Sequence, residues 1–364
     1  MISFEQSPTG VLPAYNDHYL IFSSDIQDEY AIINVGVSEF KIFPDLEGKY
    51  YFNIKKIVQT LINTNKFRDN LDVSTPNVWG FVDNSLYSKV TINISVHGDN
   101  IQESTSKVYE FIKSVNQAGD DENTNNYAVL LPSEGGNSYN VSYWEGFPFD
   151  FTIKRPSKDD VITLYNHNNN STTPQLTPNA TSSYRIILDK VFSNVMDDGF
   201  LPMLPITNRI DIRKAGVVQS TVNIKRKNQD CGVYLKWFNS QGGYSYFLFE
   251  QFFQDSTKTK LGDFIGSNNF KGVYDDNTGP LILSGKEATR VLNVKTMADL
   301  EDINHLRSLI MSPHVQMWSS TEAYSQARWI DVTIDSKDFG HFNKKYKNEI
   351  RCSIELPEIN TQKI

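Results

Sequence analysis

The chain has 364 residues, of which 39% are hydrophobic and 21% charged, a balance typical of a globular protein with two or three domains. Its formal net charge of −8 argues against non-specific or sequence-specific nucleic-acid binding, because such binding needs clustered positive charge. No apolar run approaches the length of a membrane span and the first residues lack a signal-peptide pattern, so we expect assembly in a reducing cytoplasm without a membrane partner.

The first third of the chain contains both strand and helix patterns. Residues 17–43 hold two runs rich in β-branched and aromatic side chains, which predict consecutive strands. Residues 53–64 place apolar side chains at the i, i+3, i+4 and i+7 spacing of one helical face, and Asn53 is the candidate N-cap. Residues 90–96 return to period two, which predicts a half-buried strand, and residues 107–115 favour a strand over a helix.

Two polar segments follow, with an aromatic segment between them. Residues 119–126 hold consecutive acidic residues, but the spacing of a calcium-binding EF-hand is absent, so a solvated loop is favoured. Residues 140–153 predict a second aromatic strand pair around Gly146 and Pro148. Residues 166–183 have almost no apolar content and predict a linker or a long loop.

The second half of the chain is again mostly strand. One helix is predicted at residues 296–313, with Thr296 as its candidate N-cap and Pro313 at its end. Strands are predicted at residues 184–191, 209–227, 231–253, 328–335 and 348–357. Because strands and helices do not alternate, a doubly wound parallel sheet is disfavoured.

These patterns together predict a mainly β fold, made of antiparallel β-sandwich-like domains with a few short helices. We expect an N-terminal β-rich domain with one helix at residues 1–156. A polar linker or long loop follows at residues 157–183. A C-terminal β-rich domain at residues 184–364 carries the aromatic hairpin and the second helix.

A search for chemistry finds no catalytic, cofactor-binding or metal-binding motif, so we predict a non-enzymatic protein without cofactors. The six histidines are scattered, and His167 has no ligand partner near it in sequence. Two carboxylates could still converge in space, as in a glycan hydrolase, and one sequence does not test this. Cys231 and Cys352 are too few for a zinc site, and two buried free thiols are favoured over a disulfide.

The strongest local signal is the aromatic hairpin at residues 231–253. Tyr234 and Trp237 precede its turn, Tyr244 and Phe247 follow it, and aromatic side chains fall on both faces of the second strand. Gly242 and Gly243 would permit the positive φ of a tight turn. A core hairpin is favoured over a subunit interface, and a sugar-stacking surface is the third alternative.

The same hairpin carries a family resemblance. Its sequence, VYLKWFNSQGGYSYFLF, resembles a segment in virion structural proteins of tailed phages that infect Bacteroidetes, including crAss-like phages. The opening SPTGVLPAYNDHYLIFSSD, the strand pair YWEGFPFDF, the helix end LRSLIMSPHVQMW and the strand NEIRCSIELP are similar to family segments in the same order. Residues 255–285 and 166–183 have no firm match.

The resemblance implies a structural subunit of a phage tail or head-to-tail connector, assembled in the host cytoplasm into a symmetric ring with copies of itself and other tail proteins. It supplies no catalytic residues. The candidate structural or interface residues are Pro13, Tyr15, Trp144, Pro148, Tyr234, Trp237, Gly242, Gly243, Tyr244 and Phe247. We further expect residues 1–16 or 355–364 to lie against neighbouring subunits. The alternatives are a tail-tip or baseplate protein that binds host glycan or receptor, and a glycan hydrolase.

Overall fold

The computed structural model describes residues 1–26, 28–64, 66–69, 71, 78–99, 101–117, 123–132, 136–188, 201–229, 231–266, 281–319, 329–335, 340 and 346–361. The fold is mainly β, with 55% of residues in strands and 6% in helices, which confirms the predicted class. Four predicted segments lie partly outside the described residues: the loop at 119–126, the strands at 184–191 and 328–335, and the terminal segment 355–364. Within the described part, no helix is long and apolar enough to cross a bilayer.

The strands and helices follow one another along three parts of the chain. The first part contains β1 (Ser3–Gln6), β2 (Val11–Pro13), β3 (Tyr19–Ser23), β4 (Asp28–Val35), β5 (Ser38–Ile42), β6 (Tyr50–Asn53), α1 (Lys55–Ile62), β7 (Gly80–Asp83), β8 (Tyr87–Gly98) and β9 (Gln102–Ile112). The middle contains β10 (Ser138–Trp144), β11 (Asp150–Ile153), β12 (Ile162–Asn166), β13 (Ser171–Thr172), β14 (Ser183–Ile187), β15 (Thr207–Lys214) and β16 (Val217–Lys227). The last part contains β17 (Val233–Phe238), β18 (Tyr244–Phe249), β19 (Gln251–Leu261), β20 (Phe264–Gly266), β21 (Leu281–Leu283), β22 (Lys286–Asp299), a 3₁₀ turn (Leu300–Asp302), α2 (Ile303–Ile310), β23 (Val315–Trp318), β24 (Trp329–Ile334) and β25 (Lys347–Ile359).

The smaller of two main hydrophobic cores lies between two sheets of the N-terminal region. One sheet has the order β2-β9-β8-β4-β5 and the other β1-β3-β6, and buried side chains from both meet in one cluster. Val90, Ile92, Ile94 and Val96 of β8 all point into it, which confirms the period-two prediction. Helix α1 is confirmed as well; its cap is Ile54, and the side chain of Asn53 accepts a hydrogen bond from the Lys55 backbone at 3.1 Å.

The N-terminal segment does not extend away from its own chain as we expected of an intersubunit arm. Strand β1 pairs antiparallel with β3, and β2 pairs parallel with β9. The Ala14 N–H continues the second ladder, donating to the Ile112 carbonyl at 2.9 Å. Leu12 and Ala14 are buried and Pro13 is enclosed with them, because this apolar run completes the chain's own sheet. Contact of residues 1–16 with other subunits stays a prediction.

The larger core is formed by three sheets and spans residues 79–354. Their strand orders are β10-β16-β15-β12-β13, β11-β14-β7 and β18-β17-β23-β24-β25-β22-β19. In the last of these, β25 lies in the interior of the sheet, between β24 and β22. Trp144 and Ile162, on either side of the predicted domain boundary at residue 156, belong to this one core. The polar segment 166–183 contains β13, and Leu176 forms a bridge with Ile162.

The predicted aromatic strand pair at residues 140–153 is wrong as a pair. Strand β10 pairs parallel with β16, whereas β11 pairs antiparallel with β14, so the two strands belong to different sheets. Gly146, with a φ of +91°, lies in the connection that redirects the chain between them. A glycine between two aromatic runs is typical of a hairpin, which is why the sequence predicted a strand pair here. In the structure, β10 and β11 each pair with a strand that lies much later in the chain.

The predicted start of the second helix is also wrong. Thr296 is not an N-cap, because it lies inside β22 with its side chain buried, and α2 begins only at Ile303. Val294, Thr296 and Ala298 are all buried, so period two continues to the end of this strand. Strand β25 pairs with β22 through to Asp299 and so satisfies the backbone of residues 296–299 on one side, which overrides the local helical pattern.

Candidate functional site

The turn between β17 and β18 is organised by one side chain, Asn239. Its carboxamide oxygen accepts hydrogen bonds from the backbone N–H groups of Gln241 and Gly243, at 2.9 and 3.2 Å. Its amide nitrogen donates to the Leu130 carbonyl and to Ser245 Oγ, both at 3.0 Å. Because Asn239 is almost fully buried, these bonds fix the turn and also attach it to the segment around Leu130.

The two glycines of the turn act in different ways. Gly242 has a φ of +90°, as predicted, and a Cβ there would also lie 2.9 Å from the Lys113 carbonyl. Gly243 does not have a positive φ, so the predicted reason for this glycine is wrong. A Cβ on Gly243 would lie 2.4 Å from the Leu130 carbonyl oxygen, so glycine is needed for close backbone approach.

The turn therefore joins the two cores. The backbone N–H of Val115, just beyond the last strand of the smaller core, donates to the Ser240 carbonyl at 2.8 Å. A small cluster of Tyr87, Ile112 and Leu130 lies at the same place. The hairpin thus has one end in the larger core, and its turn contacts the segment that leaves β9.

All aromatic candidates of the hairpin are buried within a single chain. Every residue of β18 is buried, which confirms burial on both faces. The buried candidate residues of this region are Trp144, Pro148, Tyr234, Trp237, Gly242, Gly243, Tyr244 and Phe247. The Tyr234 hydroxyl donates to the Pro148 carbonyl at 2.7 Å, and the Trp144 and Phe247 rings pack edge to face. A sugar-stacking role for these rings is wrong, because no sugar can reach them.

A cluster of charged side chains lies on one face of the hairpin, inside the core. Arg185 donates two hydrogen bonds to Asp150, at 2.7 and 2.6 Å, and one to Asp69 at 2.5 Å. Lys236 donates to the other oxygen of Asp69 at 2.9 Å, and the Tyr246 hydroxyl donates to Asp150. We call these five residues the ion cluster; all are essentially inaccessible to solvent.

The electrostatics of the ion cluster follow from its burial. For Asp69, desolvation is the largest influence and would raise the pKa, but the attraction of Arg185 and Lys236 together holds the pKa well below its usual range. Desolvation lowers the pKa of Lys236, and Asp69 partly opposes this. The pKa of Arg185 is raised well above its ordinary value despite desolvation, because Asp150 and Asp69 stabilise its charge. Asp69, Arg185 and Lys236 therefore form a paired structural cluster rather than an acid–base centre.

Sequence reasoning missed this cluster entirely. Its members are 35 residues apart for Arg185 and Asp150, 116 for Arg185 and Asp69, and 167 for Lys236 and Asp69. The only signal was a lysine, Lys236, in the middle of an otherwise aromatic strand. A charged residue at a position whose strand neighbours are all buried requires a buried partner, although it does not identify one.

Beside the ion cluster lies a further buried cation, Lys113. Its side chain is fully inaccessible and its ammonium group lies 4.3 Å from the centre of the Phe67 ring. Desolvation lowers the pKa of Lys113 to about 8, and Asp83 opposes this shift. Lys113 therefore stays mostly charged at neutral pH, but burial makes that charge more costly than it is in water.

We expect Lys113→Met to raise the free energy of unfolding by about 1–3 kcal/mol at pH 7. The folded-state pKa is depressed, so keeping Lys113 charged in the folded protein costs stability below about pH 8. This cost disappears as the pH rises to the unfolded-state value of about 10.4. Wild-type stability should therefore rise relative to the variant over this interval in urea titrations. Lys260→Met, at an exposed lysine, is the control. Parallel pH profiles for wild type and Lys113→Met would contradict the prediction.

The remaining candidates for chemistry do not form a reactive site in the described residues. His167 does have a partner, because its Nε2 lies 2.5 Å from Asp211, which also accepts a hydrogen bond from Thr221. Among the residues the structure covers, no three His, Cys, Asp or Glu side chains are arranged to hold a metal ion. Cys231 and Cys352 are both free thiols; Cys352 is buried, but Cys231 is exposed, contrary to our expectation.

Comparison with known proteins does not identify the chain. No protein-family model and no curated protein matches it. Fibronectin(III)-like modules of Clostridium thermocellum CbhA align at 8% identity over 63% of this chain and 95% of theirs, with a TM-score of 0.20. A 1.5-MDa bacterial ice-binding adhesin aligns at 9% identity over 82% of this chain and 92% of its own, with a TM-score of 0.19. Domains 4–9 of the surface layer protein SbsC align at 8% identity over 98% of this chain and 42% of theirs, with a TM-score of 0.17. Scores this low support no argument about function.

Proposed function

We propose that the chain is a non-enzymatic structural subunit of a tailed-phage virion, located in the tail or the head-to-tail connector and assembled into a ring. The observation that carries the proposal is the resemblance of residues 233–249 to a hairpin of such virion proteins. In the fold, these residues form β17, β18 and the turn that joins the two cores. The resemblance therefore falls on a segment that determines the arrangement of the whole subunit, rather than on a variable surface loop.

The organisation of polar groups supports a structural role over a catalytic one. The buried charges of the ion cluster pair with one another, and the aromatic side chains of the hairpin are used in packing. The alternative of a glycan-binding tail-tip protein loses much of its motivation, because Tyr234, Trp237, Tyr244 and Phe247 are buried, whereas Phe252 at the end of the segment is 48% exposed.

The test is to purify the phage particles that encode this chain and to quantify it by mass spectrometry against the major capsid protein. We expect a fixed copy number per particle and immunogold labelling at the tail or the connector. Absence from purified particles would contradict the proposal. Sustained release of reducing sugars from peptidoglycan or capsular polysaccharide, lost when one specific carboxylate is replaced, would favour the glycan hydrolase instead.

A further inference from the structure

A short segment between the two cores combines unusual backbone geometry with two strong anchors. We call residues 66–69, which follow α1 and lead towards the larger core, the strap. Lys66 and Phe67 have φ values of 50° and 63°, in the left-handed region that a bulky residue such as phenylalanine rarely adopts. For each such residue, the left-handed conformation is populated about tenfold less than the ordinary right-handed one.

The first anchor of the strap is the Phe67 ring. It stacks on Tyr15 of the N-terminal segment, with ring centres 5.7 Å apart, and packs edge to face on Phe238 of the hairpin at 5.2 Å. The Lys113 ammonium lies over the same ring at 4.3 Å. Phe67 therefore touches side chains that belong to both cores, and it keeps Tyr15 close to the hairpin.

The second anchor is Asp69, which accepts hydrogen bonds from Arg185 and Lys236 inside the larger core. Between the two anchors the side chain of Arg68 is exposed, as is that of Lys66 before them. Side chains of the strap therefore point alternately to solvent and to the interior of the protein. Its inward contacts are needed to hold a backbone conformation that the residues themselves disfavour.

We propose that the strap is a latch under backbone strain, which couples the smaller core to the larger one while Phe67 and Asp69 are seated and opens when either anchor is withdrawn. When the strap opens, the remaining contacts between the cores serve as the pivot: the Val115–Ser240 hydrogen bond, the cluster of Tyr87, Ile112 and Leu130, and the ion pair of Arg155 with Glu110. The smaller core then moves relative to the larger one without unfolding. The latch is a property of the chain itself and does not depend on the proposed virion function.

The latch can be tested by proteolysis, because trypsin cleaves after lysine and arginine and the strap contains both. Cleavage after Arg68 reports opening of the strap, whereas cleavage after Lys113, whose side chain is fully buried, reports global unfolding. In Asp69→Asn we expect cleavage after Arg68 to accelerate about tenfold or more relative to cleavage after Lys113. Asp255→Asn, which removes one partner of an exposed ion pair with Arg290, is the matched control and should leave the ratio unchanged.

The backbone strain is tested by a substitution that should make the strap open less often. Lys66→Gly removes the backbone penalty while both anchors stay seated, so cleavage after Arg68 should become about tenfold slower. The latch is excluded if cleavage after Arg68 is unchanged or faster in Lys66→Gly. It is also excluded if cleavage after Arg68 and Lys113 always changes in parallel, because the strap would then open only when the whole protein unfolds.

Discussion

Replacing Arg185 with methionine is expected to lower the free energy of unfolding by about 3–5 kcal/mol at pH 7. The arginine makes four of the hydrogen bonds that hold the ion cluster together, and its loss leaves Asp150 and Asp69 buried without their shared cation. Methionine retains much of the side-chain volume, so the loss reflects mainly the uncompensated charge rather than a cavity. Urea denaturation followed by fluorescence measures the change.

The pH dependence of that difference identifies its electrostatic origin. The folded-state pKa of Asp69 is depressed, so this carboxylate contributes stability above its unfolded-state pKa of about 3.9, and the contribution is lost as the pH falls further. The gap between wild type and Arg185→Met should therefore narrow as the pH falls into the acid range, because the buried carboxylates that have lost Arg185 take up protons before those of the wild type do. Arg290→Met is the matched control, because Arg290 pairs with Asp255 in a similar bidentate geometry on the surface. A loss in Arg185→Met no larger than that in Arg290→Met would contradict the structural importance of the ion cluster.

Gly243→Val is expected to lower the free energy of unfolding by about 4 kcal/mol or more and to reduce the yield of soluble protein sharply. The new Cβ would lie 2.4 Å from the backbone oxygen of Leu130, and no side-chain rotation removes that overlap. Either the turn must leave Leu130, which breaks the hydrogen bond from Asn239 to the Leu130 carbonyl, or the segment around Leu130 must move. Yield, melting temperature and urea midpoint provide the measurements.

The control for this substitution is Gly266→Val, since Gly266 is exposed at the end of β20, no described atom lies within 4 Å of a Cβ built on it, and its φ is not in the left-handed region. Gly266→Val should keep yield and stability close to those of the wild type. Gly242→Ala tests the second glycine separately, because it combines a φ of +90° with a close approach to the Lys113 carbonyl. Wild-type stability in Gly243→Val would show that the turn does not need the close contact with Leu130.

The elements that sequence predicted correctly are those whose signals are local. The alternation from Val90 to Val96 and the helical spacing in residues 53–64 depend on side chains within a few positions of one another. The ion cluster could not be predicted in this way, because its pairs are 35 to 167 residues apart. The predicted start of α2 was wrong for a related reason. Residues 296–299 belong to β22, because their pairing with β25, a strand from another part of the chain, overrides the local helical pattern.

The candidate site was predicted in its location but not in its chemistry. The aromatic run and the glycine pair marked residues 231–253 as special, and they do form the joint between the cores. The role of Gly243 depends on the Leu130 carbonyl, and that of Lys236 on Asp69. Neither partner is marked by any pattern near the hairpin, since Leu130 and Asp69 lie in connecting segments far away in the sequence.

The interior position of β25 determines the order in which the larger sheet can be completed during synthesis. A ribosome produces this strand after every other described strand, yet β24 and β22 hydrogen-bond to its two sides. Until β25 is released, the nascent chain presents two unpaired strand edges beside an incomplete core, and such edges readily pair with other chains. The smaller core uses residues between 2 and 111, so it can form much earlier. Productive folding therefore depends on keeping the half-built larger sheet away from other nascent copies until β25 has emerged and paired.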